Sequence, residues 1–422
     1  MKKITLGCIA DDLTGATDLA NNLVRAGMRV VLTVDVPGHD EAIDADAVVI
    51  ALKSRTIPAV EAAKQSLQSC RWLRRQGARQ IYFKICSTFD STLHGNIGPV
   101  IEALMDELDC DFSVVVPAFP DNDRTVFKGH LFVGNVLLSD SGMRNHPLTP
   151  MTDSSLVRVL QAQCRRPVGL IDYRVVARGA DAIRQRIDEL VEQGVGIAVV
   201  DAISNDDLLR LGPALAGMPL VTGGSGVAIG LPANFGISPS NAASALPPAR
   251  GFRAIVSGSC SAATNRQVRA FAASGGESFR IDALAAARCG DVVAEALAWA
   301  VPRLSEKPVL VYSTADPNEV KSVQAQLGVR DAGALLERTT AAIARGLVER
   351  GVRQLVIAGG ETAGACVQAL DVVQLRIGPQ IDPGVPWCYA QPAVAPDGLH
   401  LALKSGNFGS DDFFTKAFVL LK

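Results

Sequence analysis

Two adjacent carboxylates, Asp11 and Asp12, close an apolar run from Ile4 to Ala10 and precede Leu13-Thr14-Gly15-Ala16-Thr17-Asp18. Carboxylates can accept a proton, orient a hydroxyl or contact a metal ion. No polar side chain interrupts the run, so it reads as a buried strand. Thr14 offers a hydroxyl cap, Gly15 lets backbone or ligand come close, and Ala16 to Ala26 has helical spacing. The acidic pair therefore belongs at the carboxyl tip of a parallel strand, where open α/β sheets take their ligands. Neighbouring side chains point apart. One carboxylate is expected to face a ligand and the other to hold the loop or a metal. The plainer alternative is an N-cap with a solvated acidic partner.

Further polar groups follow other strand-like runs. Lys53-Ser54-Arg55-Thr56 comes after Ala47 to Ala51, and Arg55 there could bind an anion. The loop from Lys84 to Gly98 carries Cys86-Ser87-Thr88-Phe89-Asp90-Ser91-Thr92, His94 and Asn96. Its hydroxyls and carboxylate suit a polyhydroxylated ligand, since each ligand hydroxyl both donates and accepts. Lys84 or His94 could meet a carboxylate or phosphate, and Asn96 could cap a helix beginning near Pro99.

The second half has four polar turns of another kind. They are Val256-Ser257-Gly258-Ser259-Cys260-Ser261, Val311 to Asp316, Ala358-Gly359-Gly360-Glu361-Thr362 and Lys404-Ser405-Gly406-Asn407-Phe408-Gly409. Small residues and hydroxyls at a helix start make an anion site, because free N–H groups point outward there. Glu361 could hold a metal and Thr362 open the helix. Together these turns suggest a triphosphate cradle. Gly398 and Lys404-Ser405 match P-loop spacing, but Leu403 stands where the second glycine belongs, so that motif is rejected. Gly223-Gly224-Ser225-Gly226 resembles a dinucleotide turn, but the next glycine, Gly230, comes one position late, and it reads as a plain Gly-rich turn.

The elements that must position these groups alternate between strand and helix along 422 residues. That pattern predicts two α/β domains, each a mainly parallel sheet covered by helices, with the active site in the cleft between them. Residues 1–233 form the first domain, the Pro- and Ser-rich segment 234–251 a linker, and residues 252–422 the second. After Val116 a long Gly-punctuated segment could cover a crevice or make a subunit contact. Apolar residues are 48%, charged residues 20% and the net charge −2, with basic residues scattered. This excludes disorder and predicts no nucleic-acid or membrane partner. The nine cysteines form no C-x-x-C pair. With Met1-Lys2-Lys3 leading straight into a strand, the expected location is cytoplasmic. A homodimer is compatible, and the sequence leaves the assembly open.

At these residues the chain resembles the four-carbon acid sugar kinase family, from end to end. The resemblance rests on Ala10 to Asp18, Lys84 to Asn96, Thr222 to Gly226, Gly359 to Gly364 and Lys404 to Gly409. It is closest to the branch acting on 3-oxo-tetronates, through Cys86 to Thr92, Asn96 to Pro99, Asn145 to Asp153 and Pro383 to Trp387. The resemblance implies transfer of phosphate from ATP, with Mg²⁺, to the C4 hydroxyl of a four-carbon 3-oxo sugar acid. The first domain would bind the sugar acid and the second ATP. His94 stands where relatives usually carry Lys or Arg.

Phosphoryl transfer needs an in-line hydroxyl, neutralised phosphates and a late proton acceptor. Asp12 is assigned as that acceptor, with Asp11 second or in contact with Mg²⁺. Arg55, Lys84, Asp90 and Ser91 are assigned to the sugar acid. Ser257, Ser259, Gly359, Gly360, Glu361, Thr362 and Gly406 are assigned to ATP, and no metal ligand set is fixed. Rival readings are a D-threonate or D-erythronate kinase, a non-catalytic sugar-acid-binding protein and, on the imperfect glycine pattern alone, a dehydrogenase.

Overall fold

The computed structural model describes residues 4–38, 43–146, 148–288, 291–315, 322, 325, 326 and 328–421. Of the features above, Met1-Lys2-Lys3, Pro147 and Asp316 lie outside the described residues. The chain divides into two compact units, Met1–Ser244 and Ala245–Lys422. Each is an α/β unit with a mainly parallel sheet, as the strand-helix alternation predicts.

In the first unit the strands are β1 (Leu6–Ala10), β2 (Val30–Val34), β3 (Ala47–Ala51), β4 (Gln80–Lys84) and β5 (Ser113–Val116). Then come β6 (Arg124–Phe127), β7 (His130–Val133), β8 (Val136–Leu137), β9 (Val168–Ile171), β10 (Ile197–Val200) and β11 (Leu220–Gly223). The main sheet runs β2-β3-β1-β4-β11-β5-β10-β9 with every pairing parallel. β1 is buried along its whole length, as expected for a strand covered on both faces. The register brings Ala51, Ala10, Lys84, Gly223 and Val116 into one row at the carboxyl tips. From β1 the chain builds β2 and β3 on one side and β4 on the other. The β1/β4 tips therefore form the switch point where such sheets take ligands.

The described residues of the long segment after Val116 include three short strands. β6, β7 and β8 make a separate antiparallel sheet. Asp201, at the end of β10, holds it by accepting from the N–H groups of Lys128 (2.7 Å) and Gly129 (2.8 Å), and it also accepts from Tyr173 N–H (2.9 Å). Sequence patterning missed this sheet because its strands are only two to four residues long; outside the sheet, Val126 bridges to Ala202 and His130 to Ser155.

In the second unit the strands are β12 (Phe252–Ser257), β13 (Glu277–Arg280), β14 (Val309–Tyr312), β15 (Val352–Ala358), β16 (Gln374–Asp382), β17 (Val385–Ala390) and β18 (Leu399–Lys404). Their order is β13-β14-β12-β15-β18-β17-β16. The pairings from β13 to β18 are parallel, and β17 is antiparallel to β18 and to β16. Arg280, Tyr312, Ser257, Ala358 and Lys404 form a second row of tips. One core cluster packs Phe271, Trp387, Phe413, Phe414 and Phe418 together. The eight described cysteines are free thiols. Among the described residues no helix is long and apolar enough to cross a membrane.

Candidate active site

The β1 tip is built around an ion pair. Asp12 is the N-cap of the helix Leu13–Arg25, and its Oδ1 accepts from Gly15 N–H at 3.1 Å. Thr14, expected to cap, already lies within the first turn, so its hydroxyl instead donates to Asp12 Oδ2 at 2.8 Å. The Ser54 and Arg55 N–H groups donate to Asp11 O, which swings the β3-tip loop over the acidic pair. Arg55 Nε and Nη2 then donate to Asp11 at 2.9 and 2.8 Å, and Nη2 also reaches Asp12 Oδ1. The two carboxylates thus do not diverge as expected. The turn at the helix cap lets both converge on one guanidinium.

Burial would raise the Asp12 carboxyl, but Arg55, Lys84, Thr14 and Gly15 outweigh it and hold it below its ordinary value. Arg55 Nη1 lies 3.8 Å from Asp90 Oδ2, and Asp90 accepts from Thr88 Oγ1 at 2.6 Å. Asp11, Asp12, Arg55 and Asp90 are therefore one group.

Lys84 is buried at the β4 tip, where Nζ donates to Ile85 O at 2.7 Å. A Cβ on Gly15 would lie 3.0 Å from that Nζ and 2.2 Å from Asp12 Oδ1, so this glycine makes room for the two charged groups. Ser91 Oγ accepts from Gln163 Nε2 at 3.0 Å, and His94 is exposed. Asn96 precedes the helix Ile97–Glu107 but makes no side-chain cap. Its Nδ2 instead faces the carbonyls of Ser54 (2.7 Å), Arg55 (3.1 Å) and Ile57 (3.2 Å), tying down the Arg55 loop.

Sequence reasoning passed over Asp18. It sits on the same helix face as Gly15, 3% exposed, and Ser225 Oγ donates to its Oδ2. Its Oδ1 is buried without a hydrogen-bond partner. Burial, partly offset by Lys84 and Ser225, pushes its carboxyl up to about 7. Arg124 also acts on it, and the Arg124 Nε is buried without a partner. A charged residue on the buried face of an amphipathic helix was the available signal. The glycines after β11 serve packing: a Cβ on Gly224 would lie 2.6 Å from Pro117 O, and one on Gly226 2.4 Å from Ala118 O. Tyr82 OH also donates to Gly224 O.

In the second unit a cavity of about 590 Å³ opens at the tips of β12, β13 and β14. Ile281, Leu284, Ala332 and Leu336 give it an apolar wall, and Gly258, Arg280, Glu361 and Thr362 also line it. Two further lining residues, Ser313 and Thr340, carry buried hydroxyls with no hydrogen-bond partner. The helix Gly360–Ala369 starts two residues before Thr362, which was expected to open it. Gly359, at φ +123°, is its N-cap, and no side chain caps it. A Cβ on Gly258 would lie 2.3 Å from Thr362 Oγ1, and one on Gly406 2.5 Å from Ser259 Oγ. The assigned residues Ser259, Gly359, Gly360, Glu361, Thr362 and Gly406 thus come together. Ser257 is fully buried beneath them, its Oγ 2.7 Å from Thr314 Oγ1.

Lys404 explains the fourth turn. Its Nζ donates to Thr264 Oγ1 (3.0 Å) and to the carbonyls of Ser405 (3.0 Å), Gly406 (3.2 Å) and Phe408 (3.2 Å). Burial pushes this ammonium down to about 7. The apolar wall from the helix Val329–Glu349 was invisible in sequence, because it reads as an ordinary amphipathic stripe.

Comparison with known proteins assigns both units. A family model described as "Sugar-binding N-terminal domain" matches residues 6–231, and one described as "Nucleotide-binding C-terminal domain" matches residues 254–414. The chain is 58% identical to the 3-oxo-tetronate kinase of Burkholderia multivorans, over 98% of this chain and 96% of that protein. It is 57% identical to the 3-oxo-tetronate kinase of Cupriavidus necator, with the same coverage. A crystal structure of a Haemophilus influenzae protein matches with TM-score 0.79 and 44% identity, over 99% of this chain and 100% of that one. One from Salmonella typhimurium LT2 matches with TM-score 0.88 and 43% identity at the same coverage. With both domain models and full-length relatives in agreement, the chain belongs to the four-carbon acid sugar kinase family.

Proposed function

We propose that this protein is an ATP-dependent kinase that phosphorylates the C4 hydroxyl of a four-carbon 3-oxo sugar acid. The observation that carries the reading is the 58% identity, over nearly the whole of both chains, to a protein named 3-oxo-tetronate kinase. The two rows of strand tips support it with chemistry. In the first unit, buried charged groups at the β1/β4 switch point suit a small polar acid. Arg55 locks Asp11 and Asp12 in place, so these three act as a positioning core. Lys84 supplies a cation beside them, with Asp90 bordering the group.

In the second unit, the apolar wall suits a purine. The orphaned hydroxyls of Ser313 and Thr340 suit ribose or base edges, since a hydroxyl serves as donor or acceptor. Gly360 and Thr362, in a first helical turn that no side chain caps, present backbone N–H groups to the phosphates, with Gly359, whose own N–H donates to Lys404 O, and Glu361, Ser259 and Gly406 alongside. Mg²⁺ in such sites needs one or two protein carboxylates beside phosphate oxygens. Glu361, on the cavity wall, fits that part. When bound, the ion would neutralise phosphate charge.

The test is ADP release from ATP and Mg²⁺ across a panel of four-carbon acids. The reading expects 3-oxo-tetronate to give a kcat/KM at least about tenfold above D-threonate and D-erythronate. Faster turnover of either reduced acid would move the assignment to that substrate. No ADP release with any of them would contradict the kinase reading.

A further inference from the structure

The phosphoryl acceptor must lose its hydroxyl proton, and the Asp11–Asp12 pair is badly placed to take it. Asp11 is held by two guanidinium hydrogen bonds. Asp12 accepts from Gly15 N–H, Thr14 Oγ1 and Arg55, which occupies both of its oxygens. Its carboxyl is also held low, which weakens it as a base.

Asp18 differs on each count. Among the described residues, its Oδ1 is the only buried carboxylate oxygen without a hydrogen-bond partner. Such a group costs stability unless something pairs with it, so its retention points to a ligand. The other oxygen is fixed by Ser225, and Ser225 is itself held because Asn22 Nδ2 donates to its carbonyl at 2.9 Å. The carboxylate is therefore aimed rather than loose. Asp18 lies one turn along the helix from Gly15, on the face that Lys84 Nζ approaches. Lys84 from β4, Arg124 from the segment after β5, and Asp12 from the helix cap are the charged groups acting on it.

Resting on the kinase reading above, we propose that Asp18, not Asp12 or Asp11, accepts the hydrogen bond and then the proton of the attacking substrate hydroxyl. The O–H bond breaks, and its electron pair forms the new bond to the γ-phosphorus. The bond from that phosphorus to the β,γ-bridging oxygen breaks, and its pair leaves on ADP. The proton rests on Asp18 Oδ1 and passes to solvent with product release. Asp11, Asp12 and Arg55 are positioning residues. The raised carboxyl of Asp18, at about 7, suits a proton acceptor working near neutral pH.

The test uses the full chain in an initial-rate assay with ATP, Mg²⁺ and 3-oxo-tetronate, comparing the parent protein with Asp18→Asn and Ser225→Ala. The asparagine keeps an acceptor for the Ser225 hydroxyl. Asp18→Asn should lower kcat about 100-fold or more, with both KM values within about threefold of the parent. The parent kcat should rise through about pH 7, and Asp18→Asn should lose that limb. Ser225→Ala removes a hydrogen bond to the charged carboxylate and should move the limb to higher pH. An Asp18→Asn kcat within threefold of the parent, or an unchanged limb in that variant, overturns the proposal. Should Asp18→Asn fail to fold, an unmoved limb in Ser225→Ala overturns it alone. An inactive parent protein would instead strike the kinase reading.

Discussion

Arg55 shows how much a single side chain can hold. Its guanidinium is mostly buried and joins two carboxylates from one strand tip to a third from the next loop. Removing one partner of a buried ion pair leaves uncompensated charge, which costs about 3–5 kcal/mol. Arg55→Met should therefore lose about that much in urea denaturation, and a loss under about 1 kcal/mol would mean the group is solvated. The sequence singled out Arg55 as a partner for an external anion, and the fold supplies internal ones. Nothing local reveals this, because it depends on the pairing of Ala10 with Ala51, 41 residues apart. Asp18 was in plain view within the quoted motif. Its unpartnered oxygen, however, is a property of the burial around it and not of its neighbours in sequence.

At the scale of elements, the buried strands were legible because they are short apolar runs bounded by polar turns. β3 has the bounds its apolar run predicts, Ala47–Ala51. Helix starts were less legible. Thr14 and Thr362 both look like caps, yet the structure uses the residue before each first turn, Asp12 and Gly359. The Lys404 turn was read as part of a phosphate cradle and not as a P-loop, but the anchoring role of Lys404 itself was not legible. Its ammonium gathers three carbonyls and a hydroxyl, so the chain from Ser405 to Phe408 wraps around one side chain. Lys404→Met keeps the length and the burial but leaves those acceptors without their donor, at about 1–3 kcal/mol for each buried group. In steady-state kinetics the ATP KM should rise roughly tenfold or more while the sugar-acid KM stays within about twofold. Equal rises in both would detach this loop from the nucleotide.

At the scale of the molecule, two units of 244 and 178 residues each end their parallel strands in a single row, and each row carries the polar turns. The division of labour follows from what the rows hold. One has buried carboxylates and cations around a switch point, and the other has an apolar cavity with orphaned hydroxyls and glycine-lined helix starts. The first suits a small polar acid and the second a nucleotide. On the proposed reading, the first would hold the phosphoryl acceptor and the second the donor of one phosphoryl transfer. The ³¹P NMR spectrum of the product made from ATP, Mg²⁺ and 3-oxo-tetronate tests this most directly. The account predicts a phosphomonoester signal split into a triplet by the two C4 protons. Free inorganic phosphate with unchanged sugar acid, or a phosphate coupled to another carbon's proton, would contradict it.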